Sequence, residues 1–156
     1  MSGVVVTDLD ELMKVEATLS KTVGESDVYL FAGITGDLAP YHVDEHFMQS
    51  RSYGGRVVHG VLTLGFVSAV STKFWEAVGQ VAQGISAGYD GVRFVRPVYF
   101  GDTLHLSYRL EGYDPQTRQF RSAATATNQH GQVCLVATHL VRQVDMDKPR
   151  QPETED

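Results

Sequence analysis

Asp37 and His42 stand five positions apart in the stretch FAGITGDLAPYH (31–42), and no other pair in this chain is better placed to do chemistry. A carboxylate and an imidazole at fixed separation can handle one water molecule. One takes its proton while the other orients it or delivers a proton elsewhere. The intervening residues favour a stiff loop: Gly36 and Pro40 break regular structure, and Pro40 fixes its own φ and biases Ala39 to extended backbone. The same residue types also build ordinary loops, with Asp37 capping the turn after Gly36 and His42 capping the next helix. Spacing alone leaves both readings open.

The flanking elements must position that pair. Alternation through Val15, Ala17, Leu19 and Val23 predicts a strand over 14–23, ending at Gly24. Ser26, followed by Asp27, is a good N-cap with a favourable first-turn charge, and predicts a short helix through Ile34. After the loop, Asp44 is placed to cap a second short helix, EHFMQS, and RSYGGRVV reads as a Gly-rich connector. From His59 to Gly79 the pattern predicts a long helix, apolar nearly all round (Val61, Leu62, Leu64, Phe66, Val67, Val70, Phe74, Trp75) and stopped by glycine. His59, Ser68, Ser71, Thr72 and Lys73 interrupt it, so burial within protein is expected rather than a membrane span.

Four alternating segments follow, 85–98, 103–113, 119–128 and 133–144, separated by the turn signals PVYFGD, YDPQTRQ and NQHGQ. Short connections predict an antiparallel meander. Together these elements predict an α+β chain in which a curved antiparallel sheet wraps a long central helix, the hotdog architecture. The expected organisation is a lead-in over 1–13, one domain over 14–144 and a disordered tail over 145–156, where charged and proline residues leave little to bury.

The chain's 156 residues suffice for one hydrophobic core, and its apolar and charged fractions, 42% and 21%, are those of an ordinary soluble domain. A formal net charge of −6 and the lack of a basic cluster argue against a nucleic-acid partner. The single cysteine, Cys134, excludes an internal disulfide; it sits in the alternation QVCLVATHLV and reads as a buried structural thiol rather than a nucleophile. The acidic start, MSGVVVTDLDELMK, does not read as an export signal, so a cytoplasmic location is expected, with no membrane partner.

Three motifs in order, FAGITGDLAPYHVDEHFMQS, GGRVVHGVLTLGF and GVRFVRPVYFGDTL, resemble the MaoC-like hydratases and dehydratases, among them the (R)-specific enoyl-CoA hydratases. The resemblance spans about Gly24 to Val141. The family pattern Gly-Asp-x-Asn-Pro-x-His is matched at Asp37, Pro40 and His42, with Ala39 where asparagine is usual. It implies hydration of a 2-enoyl thioester of coenzyme A, or the reverse, with an acyl carrier protein as the alternative carrier of the acyl group. Asp37 would act as base towards water attacking C3, and His42 would orient that water and help deliver a proton at C2. It further implies a backbone N–H at Gly60 for the thioester oxygen, Ser68 lining the same site, no cofactor, and a homodimer with sites at its interface. A helix N-terminus suits developing oxyanion charge, and glycine permits close approach. Simple helix-start packing explains Gly60 equally well.

Other residues carry competing readings. His59 reads as a helix-start residue satisfied by local backbone, with substrate contact as the alternative. Ser68 reads as back-bonding within its own helix, with a site role as the alternative. Tyr41 is a substrate-binding candidate and, with Phe47, Met48, Tyr53 and Phe66, a candidate for the tunnel floor. Arg93 and Arg96 suit either solvent or the phosphates of coenzyme A. The crowding of His42, Asp44, Glu45 and His46 is not a metal-ligand spacing, and no metal is expected. A thioesterase usually carries its acid on or near the central helix, where this chain has only Glu76 near the far end. A non-catalytic acyl-CoA-binding protein is the remaining alternative. A small sheet with an open edge predicts a closed homodimer.

Overall fold

The computed structural model of the chain describes residues 8–79 and 84–144. In order, its elements are α1 (Leu9–Leu12), β1 (Glu16–Thr22), α2 (Glu25–Thr35), α3 (Pro40–Val43), α4 (Glu45–Gln49), α5 (Gly60–Ala77), β2 (Gly84–Phe94), β3 (Thr103–Asp114), β4 (Gln119–Thr127) and β5 (Val133–Gln143). The strands form one antiparallel sheet in the order β1-β3-β4-β5-β2, and α5 packs along β1, β3 and β4. Among the described residues no helix is long and apolar enough to cross a membrane.

Period-two alternation builds the sheet's inner face. Leu104, Leu106, Tyr108 and Leu110 of β3 point inward between outward Thr103, His105, Ser107 and Arg109, and Ala124, Ala126, Leu135, Ala137 and Val141 continue that face. Against it α5 turns Val67, Val70 and Phe74, all wholly buried. Phe74 lies between Trp75 and Tyr108, at ring separations of 5.2 and 5.4 Å. Truncating it to alanine should cost about 3–5 kcal/mol.

Several expectations need correction. The strand segments do not form a simple meander: β3, β4 and β5 do, but β2 pairs with β5 at the far edge and β1 pairs with β3. The reason is the connector 95–102, which crosses the end of the sheet. Val95 N–H donates to the Cys134 carbonyl, Val58 N–H to Val98, and Val23 N–H to Asp102, so the chain is carried from β5 to β1. For the same reason β2 stops at Phe94 rather than running to Val98. The long helix is not buried all round, because a single chain covers one side and leaves Val61, Gly65, Ser68, Ala69 and Thr72 exposed. The cap of α2 is Gly24, whose N–H donates to Asp27 Oδ2 at 2.8 Å, and not Ser26. Part of the lead-in is ordered, since α1 buries Leu12. The tail over 145–156 lies outside the described residues.

The segment between β1 and α5 carries the candidate site, and Arg56 clamps it. Its Nε donates to Glu45 Oε2 at 2.9 Å and its Nη1 to Tyr29 Oη at 2.9 Å, while Nη2 pairs with Glu25. One guanidinium thus ties α2 and α4 to the approach to α5.

Candidate active site

Gly36 ends α2 at φ +77°, a left-handed conformation that glycine adopts without strain, and its N–H donates to the Ala32 carbonyl at 2.8 Å. The turn then points Asp37 outwards, its side chain half exposed. Asp37 N–H donates to Thr35 Oγ1 at 3.2 Å, and Ala39 N–H reaches Asp37 Oδ1 at 3.4 Å. Pro40 opens the single turn α3, which carries His42 inwards until the residue is 7% exposed. His42 Nδ1 lies 2.6 Å from the Val57 carbonyl oxygen. A carbonyl only accepts, so Nδ1 carries the hydrogen and Nε2 keeps a free lone pair. Burial pushes the His42 imidazole below its ordinary range; neighbouring His59 pushes the same way, while the Val57 carbonyl and Asp37 oppose.

His59 is buried against the same loop. Its ring stacks on His42 at 3.6 Å and 25°, and Phe31 tilts onto it at 4.9 Å. Its Nε2 lies 3.0 Å from the Asp37 carbonyl oxygen and 3.8 Å from Asp37 Oδ2. The expectation that local backbone satisfies His59 is therefore corrected: its partner is 22 residues away. Asp37, His42 and His59 offer side-chain atoms that all lie within 4.8 Å of one another. One water donating two hydrogen bonds of about 2.8 Å spans such a gap between carboxylate and imidazole. For a metal ion the set is poor, because near-parallel stacked rings aim their lone pairs side by side and His42 Nδ1 is engaged. The neighbouring acids are also occupied: Asp44 caps α4 through Phe47 N–H, and Glu45 holds Arg56.

Two cavities meet here. The larger, about 610 Å³, is walled by Tyr41, Met48, Val57, Thr63, Val98 and Cys134, with Arg51 and Arg96 also on its lining. The smaller, about 410 Å³, holds Asp37, Thr35, Phe31, His59 and Val61. His42, Gly60 and Phe94 line both.

Gly60 opens α5 beneath that junction. The first bond into the helix runs from Thr63 N–H to the His59 carbonyl at 3.2 Å, so the N–H groups of Gly60, Val61 and Leu62 lie outside the helical ladder. A Cβ on Gly60 would sit 3.0 Å from Phe94 ring atoms, so its lack of a side chain is used.

Tyr41, His42, Asp37, His59 and Gly60 are thus brought together, with the Tyr41 ring edge-on to His42 at 4.4 Å. Ser68 lies on the exposed side of α5 and lines neither cavity of the single chain. Arg96 lines the large cavity, whereas Arg93 donates to its own neighbour's carbonyl. Sequence reasoning missed Arg51 and Phe94, which reach the site only through the fold. It also missed Thr63, whose buried hydroxyl has no partner among the described residues and whose signal was its position one turn beyond Gly60. Cys134 is buried as expected and also forms part of the cavity wall.

Similarity to known proteins is consistent along the chain. A family model described as a MaoC like domain matches residues 10–132. The chain is 37% identical over 113 residues to an (R)-specific enoyl-CoA hydratase of Rhodospirillum rubrum, covering 70% of this chain and 74% of that protein. It is 35% identical over 111 residues to a 3-hydroxybutyryl-CoA dehydratase of Methylorubrum extorquens, covering 70% and 66%. Among solved structures, the (R)-hydratase from A. caviae involved in PHA biosynthesis matches with a TM-score of 0.73 over 82% of this chain and 93% of that one. At 23% identity that likeness bears on the fold, which is the hotdog architecture.

Proposed function

The chain belongs to the MaoC-like dehydratase family and is a hydro-lyase; from that premise we propose that it adds water across C2–C3 of a 2-enoyl-CoA thioester, or removes it from the (R)-3-hydroxyacyl product. The observation that carries this reading is the convergence of three groups on adjoining cavities: Asp37 on the smaller, and the free Nε2 of His42 and the open end of α5 at Gly60 on the lining that both share.

Water donates one hydrogen to Asp37 and the other to His42 Nε2, which fixes a lone pair towards C3. As the O–C3 bond forms, Asp37 takes a proton and the C2=C3 pair moves towards C2 and the thioester oxygen. The Gly60 N–H, at the positive end of α5, stabilises that oxygen. Asp37 then gives that proton to C2 while His42 Nε2 still accepts from the new hydroxyl, so hydroxyl and hydrogen add and the two side chains end as they began. Ala39 removes the usual asparagine amide but neither proton-handling group. Arg51 and Arg96 supply positive charge for the phosphates of the carrier. A homodimer suits the exposed edge β2 and the uncovered face of α5. A single buried thiol suits a reducing, cytoplasmic setting.

The test follows loss of the conjugated thioester absorbance with crotonyl-CoA and a longer 2-enoyl-CoA. Asp37→Asn and His42→Ala should each lose at least about two orders of magnitude in kcat/KM. A wild type that binds these thioesters without turning them over would instead be an acyl-thioester-binding protein.

A further inference from the structure

We propose that His59 is the positioning residue of this site: its Nε2–H holds the Asp37 loop by the backbone carbonyl, and its ring is the shelf on which His42 lies. The inference rests on the hydratase reading above and extends it to a residue that the chemistry itself does not consume.

Gly36 N–H, Leu38 N–H and His42 N–H all bond within residues 32–42, and Asp37 N–H and Oδ1 bond to Thr35 and Ala39. Among the described residues, the hydrogen bond that ties residues 36–39 to the rest of the molecule is the one to His59 Nε2, at 3.0 Å. Ala39 offers the loop only its backbone. An unanchored loop of this kind leaves a half-exposed carboxylate free to swing, and about 1 Å of misplacement can cost roughly 10²-fold in rate.

His59 is well built to anchor it. The residue is 2% exposed, so its rotamer is fixed by packing. Stacking at 3.6 Å on His42 and contact with Phe31 on α2 lock the ring between the two functional groups. It stands at the N-cap of α5 yet makes no side-chain capping bond. A serine, threonine, aspartate or asparagine there would place its own oxygen on the first-turn N–H groups. Histidine turns away towards Asp37 and leaves the helix end open for the thioester oxygen. Its Nδ1, buried without a partner among the described residues, is the stability cost of that arrangement.

The groups that face His42 are Asp37 from its loop, His59 from the head of α5, Tyr41 from its own turn, and Arg51, Arg96 and Cys134 around the cavity wall. Of these, His59 is the one stacked on it.

Two variants separate anchoring from filling. His59→Gln keeps an N–H donor near the Nε2 position, and His59→Phe keeps the ring and loses the donor. Hydrogen exchange at residues 36–39 is read alongside kinetics on crotonyl-CoA. His59→Phe should speed exchange at Leu38 and Ala39 and lower kcat about 10²-fold with KM within about twofold. His59→Gln should leave exchange near wild type and keep kcat within about tenfold. With the stacked imidazole gone, His42 in His59→Gln should titrate higher by NMR, and the acid limb of the kcat profile should move up with it. Unchanged loop exchange in His59→Phe, or equal kinetic losses in both variants, overturns the proposal. If exchange responds as described while wild type fails to hydrate any enoyl thioester, the anchoring of Asp37 stands and the hydratase reading falls.

Discussion

His42 Nδ1 lies 2.6 Å from the carbonyl oxygen of Val57, a residue 15 positions along the chain, and this bond turns Nε2 towards the cavity. Histidine is thereby presented as a neutral acceptor for water. Its lowered affinity for protons, owed first to burial and then to His59, keeps it so.

That relationship sets the pH dependence. The working form of His42 is unprotonated, and its folded value lies below the ordinary 6.5. Hydration, followed as kcat/KM, should be flat around neutrality and fall on acidification with its midpoint below pH 6.5. A midpoint above that value would contradict a buried His42.

Gly60→Ala separates activity from stability. Alanine is the better helix former by up to about 1 kcal/mol. The new methyl, however, meets the Phe94 ring at 3.0 Å and crowds the amide offered to the thioester oxygen. The melting temperature should change little, because half-exposed Phe94 can shift, while kcat falls up to about 10²-fold. Thermal melts and initial rates on one preparation decide it.

Arg51 and Arg96 should act on the carrier and not on the acyl group. Arg51→Gln and Arg96→Gln should each raise KM for crotonyl-CoA about tenfold, roughly 1.4 kcal/mol, with kcat unchanged. The N-acetylcysteamine thioester carries no phosphate, so its KM should not move. Added salt should mimic the substitutions for the CoA ester alone.

Stability has its own pH window, set in the core. His139 is buried between Tyr108 Oη at 3.1 Å and Ser86 Oγ at 2.8 Å, with Tyr89 stacked on it, and burial lowers its value from 6.5 to about 4. Because the folded value is depressed, its contribution is complete above pH 6.5 and is lost as pH falls towards 4. Urea unfolding should lose about 3 kcal/mol across that window, with His42 adding in the same direction. His139→Gln should flatten most of the slope.

Thr63→Val tests the orphaned hydroxyl. Its Oγ1 is buried with no partner among the described residues, so an isosteric apolar replacement should stabilise the fold by about 1 kcal/mol in the same urea experiment.

Much of this protein was legible in its sequence, because the signals involved are local. Alternation marked β3, β4 and β5 almost to the residue, glycine and proline stiffened the 36–42 loop, and Asp44 announced its cap on α4. The chemistry was suggested by the resemblance of three ordered motifs, with Asp37 and His42 in the first and Gly60 in the second, whereas their spacing alone left an ordinary loop and simple helix-start packing open. What the sequence could not carry were relationships between distant segments. The crossing of 95–102 sent β2 to the far edge and brought Phe94 over Gly60 and Arg96 into the cavity. The clamp of Arg56 on Glu25 and Glu45 is likewise a meeting of separate turns. His59 looked like an ordinary helix start until tertiary packing set it under His42 and against Asp37, since stacking and a bond across 22 residues leave no periodic trace along a chain.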